Sequence, residues 1–341
     1  MRINLKILQY LIKRLLFLVP VLIGVTMLTF FITHVIPGDP ITMALGPMAT
    51  QEQRIAFHEE MGMDKPLIVQ YGIYLNKVLH GDLGVSIRTK GPVLDDLRAY
   101  FPATFELTIG AMIVCIFFGI YLGIISAVRR NKPIDHTVRI FSLIGVSVPI
   151  FWLGFMLLIL FYGKFPILPG GGRISSLVAP PTTITGLYLL DSILTGNWLT
   201  FKDSLYHLIL PVFTLGFCYI ALISRMTRSS MLEVLHQDYI RTAKTKGFSE
   251  KGVIRYHAFR NALIPVVTSA GMLFAQLMSG TILAEMTFSW PGIGLYAQQS
   301  IMYLDYNAIM GFVLVVAFIY AIVNFIIDIL YVIIDPRIKL A

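Results

Sequence analysis

The residue types that carry out catalysis occur in this sequence without the spacing that catalysis needs. No Gly-x-x-x-x-Gly-Lys-Ser/Thr run is present, so the chain lacks the loop that cradles the phosphates of ATP. His58 and Glu59 are not followed by the second histidine of a zinc-protease motif. Ser147 follows Gly145 at the right spacing, but Pro149 stands where a nucleophile elbow has its second glycine. The sequence therefore predicts a protein that is not an enzyme and that holds no cofactor itself.

Several polar residues fall inside or beside apolar stretches, where an ionisable group is costly and marks a functional site. These residues are Glu106, His207, Gln276, Glu285, Asn324 and Asp328, and most of them stand near enough to the end of a span for interfacial placement. Asp328 is the deepest acid, and a proton relay, an ion pair with a basic residue and a helix cap are all open to it. Cys115 and Cys218 lack metal-ligand spacing and are expected to be small buried hydrophobes.

The most informative polar stretch runs from Asp238 to Pro265, between two long apolar segments. Residues 239–246 predict a short helix, and Gly247 suits the left-handed residue that ends it. Ser249 is expected to cap a second helix that continues toward the next apolar segment. The stretch is strongly basic and cannot enter lipid, so it predicts a docking surface at the membrane face; its cations are Arg241, Lys244, Lys246, Lys251, Arg255 and Arg260.

The composition places these residues in a membrane protein. Of the 341 residues, 56% are hydrophobic and only 13% are charged, against about 25% charged in soluble domains. The net charge of +8 raises the question of nucleic-acid binding. The basic residues concentrate beside apolar stretches, however, so positive-inside topology explains them and no nucleic-acid partner is expected.

Six apolar segments are long enough to cross the roughly 30 Å of hydrocarbon in a bilayer. They cover residues 15–35, 104–128, 138–162, 204–224, 263–285 and 308–334. Pro149 is expected to kink the third, and Gly119 and Gly123 in the second have the spacing that permits close helix packing. The N-terminus, the second–third and fourth–fifth loops and the C-terminus carry Lys and Arg, whereas the fifth–sixth loop carries none. The pattern predicts six spans with both termini in the cytoplasm.

The basic stretch resembles the cytoplasmic "EAA" loop of ABC-importer permeases, in which Glu-Ala-Ala is followed by three residues and a glycine. Here Arg241, Thr242, Ala243 and Gly247 stand at those positions. The arginine in first place and a late Pro265 are similar to the dipeptide/oligopeptide branch. Its pattern matches Tyr239, Arg241, Thr242, Ala243, Lys246 and Gly247, then His257, Ala258, Arg260, Asn261, Ala262 and Pro265. The alternative is a solvated basic loop that only obeys the positive-inside rule.

Other segments extend the resemblance over nearly the whole chain: IPGDP at 36–40, HGDLGVS at 80–86, FSWPGIG at 288–294 and DPRI at 335–338. The resemblance implies an all-α membrane protein with six transmembrane helices, the type I ABC importer permease fold, and a long extracytoplasmic loop after the first helix. The expected units are an N-terminal segment with the first helix (1–35), an extracytoplasmic region (36–97), a transmembrane domain (98–333) with its coupling loop at 225–262, and a cytoplasmic tail (334–341).

The function implied is that of a plasma-membrane permease subunit forming half of a translocation pathway for dipeptides or oligopeptides. The implied partners are a second homologous permease, two ATPase subunits that bind ATP and Mg²⁺, and an extracytoplasmic substrate-binding protein. The ATPase-coupling residues are expected to be Tyr239, Arg241, Thr242, Ala243, Lys246, Gly247, Arg260 and Pro265, with the small Ala243 face entering the ATPase cleft. The sequence does not identify the cargo.

The competing function is a stand-alone secondary transporter or channel. It predicts paired intramembrane charges, inverted repeats or broken helices in both halves of the chain. None of these is evident in the sequence.

Overall fold

A computed structural model of the chain describes residues 5–35, 45–46, 48–60 and 65–334. The IPGDP and DPRI segments lie outside these ranges. The described regular structure is helical, apart from one antiparallel bridge between Val85 and Pro92. The helices are α1 (Leu5–Val35), α2 (Gln51–Glu60), α3 (Leu67–Leu79), α4 (Val93–Val128), α5 (Pro133–Ser147), α6 (Ile150–Leu157), α7 (Tyr188–Leu194), α8 (Trp198–Leu235), α9 (Asp238–Thr245), α10 (Glu250–Gly252), α11 (Phe259–Met278), α12 (Ile282–Thr287), α13 (Ile293–Met302) and α14 (Tyr306–Ile334). One π-helical segment, Leu158–Lys164, continues α6, and a second, Val253–Ala258, joins α10 to α11.

Five continuous helical stretches are long and apolar enough to span a membrane. They are α1, α4, α8, the α10–α11 stretch and α14. A sixth crossing is complete only if α5 and the α6 stretch count as one span, and these meet at an angle of 99°. The kink expected at Pro149 is therefore a sharp break, which agrees with the loss of a helical hydrogen bond at proline.

The centre of the bundle is the contact between α4 and α8. A Cβ atom on Gly119 would lie 2.7 Å from the Cβ of Ile223, and one on Gly123 would lie 2.5 Å from the Cβ of Thr227. Only glycine at both positions lets the two backbones approach so closely, and the predicted packing role of the pair is confirmed. The largest buried cluster surrounds this contact, with Leu107, Leu215 and other apolar side chains.

The fifth span ends earlier than the sequence predicted. Its helix stops at Met278, and Glu285 lies in the separate short helix α12. The reason is Gly280, whose φ of +92° ends the helix. A Cβ atom at this position would lie 2.8 Å from the Cα of Gly294, so the two backbones approach closely here. The span is therefore followed by a folded segment that returns against α4, where Trp290 Nε1 donates to the Ala103 carbonyl at 2.8 Å.

Candidate functional site: the α9–α11 docking element

Helix α9 ends in the way that the sequence predicted. Gly247 has a φ of +83°, and its N–H donates to the Lys244 carbonyl at 3.0 Å. The Phe248 N–H reaches back to the Ala243 carbonyl at 3.4 Å. These two bonds form the Schellman arrangement, which requires a left-handed residue after the last helical position. Gly247 thus fixes the angle at which the chain leaves α9.

The second helix of the element begins at the expected cap. Ser249 Oγ accepts the Gly252 N–H at 3.2 Å. Farther along, the Asn261 side-chain amide donates to Tyr239 Oη at 2.9 Å. This bond joins the first turn of α9 to the start of α11, so two helices on either side of the turn are held together. Pro265 lies inside α11 and is exposed.

The inner face of α9 is buried against the rest of the chain. Ile240 and Ala243 pack in one cluster with Ala127 at the end of α4 and Met231 near the end of α8. Ala243 is only 6% exposed. The expectation that Ala243 lies on the face that enters an ATPase cleft is therefore wrong, because its small side chain is what lets α9 lie close to the spans.

The remaining residues predicted for docking are exposed on α9, in the turn that follows it and on α11. They are Tyr239, Arg241 and Thr242 on α9, Lys246 and Gly247 in the turn, and Arg260 and Pro265 on α11. Among the residues that the structure describes, no ion pair involves the cations of this element. The element therefore presents a cationic outer surface on a helix whose apolar inner face is fixed to two spans.

Sequence reasoning missed a buried ion pair close to this element. Arg228 of α8 donates to both carboxylate oxygens of Asp135 in α5, each at 2.8 Å. Ser126 Oγ and the Asn131 N–H also donate to the same carboxylate, and Asp135 is fully buried. Asp135 is the sole acid between the second and third spans in an otherwise basic loop, and that was the available signal. The pair joins α5, α8 and the end of α4.

Two of the polar residues noted inside apolar stretches bind a segment that follows the third span. Glu106 Oε2 accepts from Arg173 at 2.7 Å, and both side chains are buried. The Arg173 guanidinium also stacks on the Tyr188 ring, 3.6 Å from its centroid. His207 Nδ1 donates to the Gly171 carbonyl at 2.9 Å. These contacts are structural and hold residues 171–188 over the ends of α4 and α8.

Another buried acid, Asp191 of α7, follows this segment. Its carboxylate accepts backbone N–H bonds from Ile184, Thr185 and Gly186, and the Thr185 hydroxyl. Burial alone favours the neutral acid, but these hydrogen bonds hold the pKa of Asp191 below its ordinary value. Asp191 therefore fixes the loop that precedes α7.

The other polar residues also have defined places. Glu285 accepts from Thr104 Oγ1 and from the Leu295 N–H, each at 2.8 Å. Gln276 lies 3.5 Å from Tyr219 Oη. Asn324 and Asp328 line a cavity of about 390 Å³ between α1 and α14. The three roles considered for Asp328 stay hypotheses.

Cys115 and Cys218 are buried free thiols, as expected. No group of three or more metal-ligating side chains occurs among the described residues.

Comparison with known proteins identifies the family. A family model described as binding-protein-dependent transport system inner membrane component matches residues 119–340. The model of the N-terminal part of such membrane components matches residues 7–108.

Similar proteins share most of the chain. The probable D,D-dipeptide transport system permease protein DdpB of Escherichia coli (strain K12) is 48% identical over 321 residues, 94% of each chain. The dipeptide transport system permease protein DppB of Alkalihalophilus pseudofirmus is 46% identical, over 97% of this chain and 99% of the relative. The oligopeptide transport system permease protein AppB of Bacillus subtilis (strain 168) is 37% identical, over 97% of this chain and 99% of the relative.

Among solved structures, the chain resembles one titled as inward-facing conformations of the MetNI methionine ABC transporter. The TM-score is 0.52 at 16% identity, over 70% of this chain and 96% of the other. At that identity the likeness concerns the fold alone, and it agrees with the type I permease fold. With one family model over residues 119–340 and relatives up to 48% identical over nearly the whole length, the chain belongs to the binding-protein-dependent transport system inner membrane components.

Proposed function

We propose that this chain forms half of the translocation pathway of an ATP-driven importer of dipeptides and oligopeptides. Its family supplies the transport role, and the peptide cargo is supported by the names of relatives that share 37% to 48% of its residues. A stand-alone transporter or channel is not proposed, because the family consists of binding-protein-dependent components.

The proposed partners follow from this role. A second homologous permease completes the pathway, two cytoplasmic ATPases bind ATP and Mg²⁺ and hydrolyse the nucleotide, and a binding protein delivers cargo on the opposite side. Both termini lie in the cytoplasm, because basic residues concentrate in the terminal, second–third and fourth–fifth segments. The domain boundaries at 35, 97 and 333 stay predictions.

The observation that carries the proposal is the way in which α9 packs against two membrane spans. Its outer face bears Arg241, Lys244 and Lys246, and its inner face packs through Ile240 and Ala243 on the ends of α4 and α8. A protein bound to the outer face of α9 would therefore transmit its movement to two spans at once. When ATP binding closes the ATPases, α9 moves with them, and the spans switch between inward-facing and outward-facing arrangements.

Copurification tests the docking. The tagged chain is coexpressed with its partner permease and ATPases from the same organism, and the ATPase retained per permease is measured in moderate salt. Arg241→Glu is expected to reduce retention about fivefold, because reversing an exposed interface charge changes binding by about 1 kcal/mol.

The matched control is Arg98→Glu. Arg98 is an exposed arginine at the far end of α4, and among the described residues its one ion pair is with the exposed Asp95 at 3.4 Å. It should retain ATPase as the wild type does. Equal retention by both variants would remove α9 as the docking face, and peptide uptake by vesicles that contain the permeases without ATPases would refute the importer function itself.

A further inference from the structure

A cavity of about 550 Å³ lies between α5 and α8. It begins beside the Asp135–Arg228 pair and is lined along α5 from His136 to Ser147. Eleven successive helical positions separate these ends, or about 16 Å along the axis. The cavity is therefore an elongated groove that runs from the basic end of the two helices into the region of the spans.

The two ends of the groove differ in charge. Arg139, Arg225 and Arg228 line the basic end, with His136 beside Arg139 at 2.9 Å. Asp135 neutralises Arg228, but neither Arg139 nor Arg225 has an ion pair among the described residues. No lining residue is acidic. The basic end thus holds two uncompensated positive charges.

The remaining wall of the groove is apolar and open to the flank of the bundle. Leu143 is 66% exposed, and Ile140 and Val146 are each 59% exposed. Ser142, Ser147 and Ser224 provide hydroxyl groups between them. The groove therefore combines cations at one end with an exposed apolar wall at the other.

We propose that this groove binds a phospholipid with an anionic headgroup. The phosphate lies between Arg139 and Arg225, and an acyl chain follows Leu143 and Val146 toward the membrane centre. The order of cations and apolar surface matches one leaflet of a bilayer, and basic pockets between spans at the cytoplasmic face suit anionic headgroups. A short peptide fits less well, because its ammonium group would find no carboxylate in the lining.

This inference rests on the membrane orientation proposed above, but not on the cargo or on ATPase docking. The occupied groove would hold α5 against α8 beside the buried Asp135–Arg228 pair. The lipid would thereby brace the helix whose end carries α9.

Native mass spectrometry of the purified permease–ATPase complex tests the proposal, with phosphatidylglycerol and phosphatidylcholine as the probes. Wild type is expected to retain phosphatidylglycerol selectively. The double variant Arg139→Gln, Arg225→Gln should bind it about 30-fold more weakly, which corresponds to about 2 kcal/mol for two cations near a membrane surface.

The matched control is Arg129→Gln, Lys132→Gln. It removes the same charge from two exposed residues of the neighbouring loop that do not line the groove. It should retain the lipid as wild type does, and excess inorganic phosphate should not displace it.

Three results would overturn the proposal. Equal loss of lipid in both double variants would mean that anionic lipid is attracted to the basic loops in general and not to this groove. Equal retention of both lipids by wild type would mean no headgroup site. Displacement of phosphatidylglycerol by a dipeptide would make the groove part of the cargo pathway. Peptide uptake by the wild-type complex, measured in parallel, tests the proposed function separately.

Discussion

The turn at Gly247 offers the sharpest test of coupling through α9. A Cβ atom at this position would meet no atom within 4 Å, so space does not require a glycine. The φ of +83° does. A residue with a Cβ atom in this left-handed region costs about 1 to 2 kcal/mol, and a β-branched residue costs more. The native turn would then be about 5 to 30 times less populated relative to other conformations.

The assay is peptide uptake together with ATP hydrolysis in the reconstituted complex, for Gly247→Asn, Gly247→Ala and Gly247→Val. Asparagine tolerates the left-handed region, so its coupling ratio of uptake to hydrolysis should stay near wild type. The ratio should fall for alanine and fall farthest for valine. Membrane insertion should be equal in all three, because no span is altered.

The series separates backbone strain from side-chain bulk. If Gly247→Val supports uptake at the wild-type ratio, the angle after α9 does not matter for coupling. If Gly247→Asn is as impaired as Gly247→Val, a side chain at this exposed position obstructs a partner, and the strain argument fails.

Further predictions concern burial, topology and the outer contacts. Ala243→Asp should lower ATPase retention and thermal stability together, since it buries a charge beneath α9; an unchanged melting temperature would contradict the buried inner face. Cysteine at Lys251 should react only with reagent on the cytoplasmic side and cysteine at Leu177, which is 96% exposed, only from outside; labelling of both from one side would refute the topology. Arg173→Gln should destabilise the chain by about 3 to 5 kcal/mol because the Glu106 carboxylate remains buried, and adding Glu106→Gln should recover part of that loss in a thermal-shift measurement. The purified chain alone should not hydrolyse ATP, as a coupled-enzyme assay would show; activity that copurifies with it after ATPase removal would contradict the absence of a phosphate-binding loop.

Local chemistry made much of the docking element predictable. Gly247 and Ser249 are read from rules that involve neighbours three to five residues away, and both rules hold in the structure. The Gly119–Gly123 spacing likewise predicted that this part of α4 packs closely against another helix. Long apolar segments marked the spans within a few turns because length alone decides whether a helix crosses the bilayer.

Long-range contacts were not predictable in the same way. The buried face of α9 depends on Ala127 and Met231, which lie far away in the sequence, and a helix of two turns has too few apolar residues to show which side faces inward. The Asp135–Arg228 and Glu106–Arg173 pairs join residues 93 and 67 positions apart. The end of the fifth span at Met278 follows from the fit of Gly280 against Gly294, which hydropathy does not register.

The Glu106–Arg173 pair has a consequence for how the protein is made. Glu106 lies on a helix that is synthesised before Arg173, and the 67 positions that separate them take roughly 3 to 13 seconds to translate. During that interval the carboxylate has no guanidinium beside it, and an uncompensated charge opposes entry of its part of α4 into lipid. The nascent second span is therefore expected to keep Glu106 at the water interface until the third span has crossed and delivered the arginine.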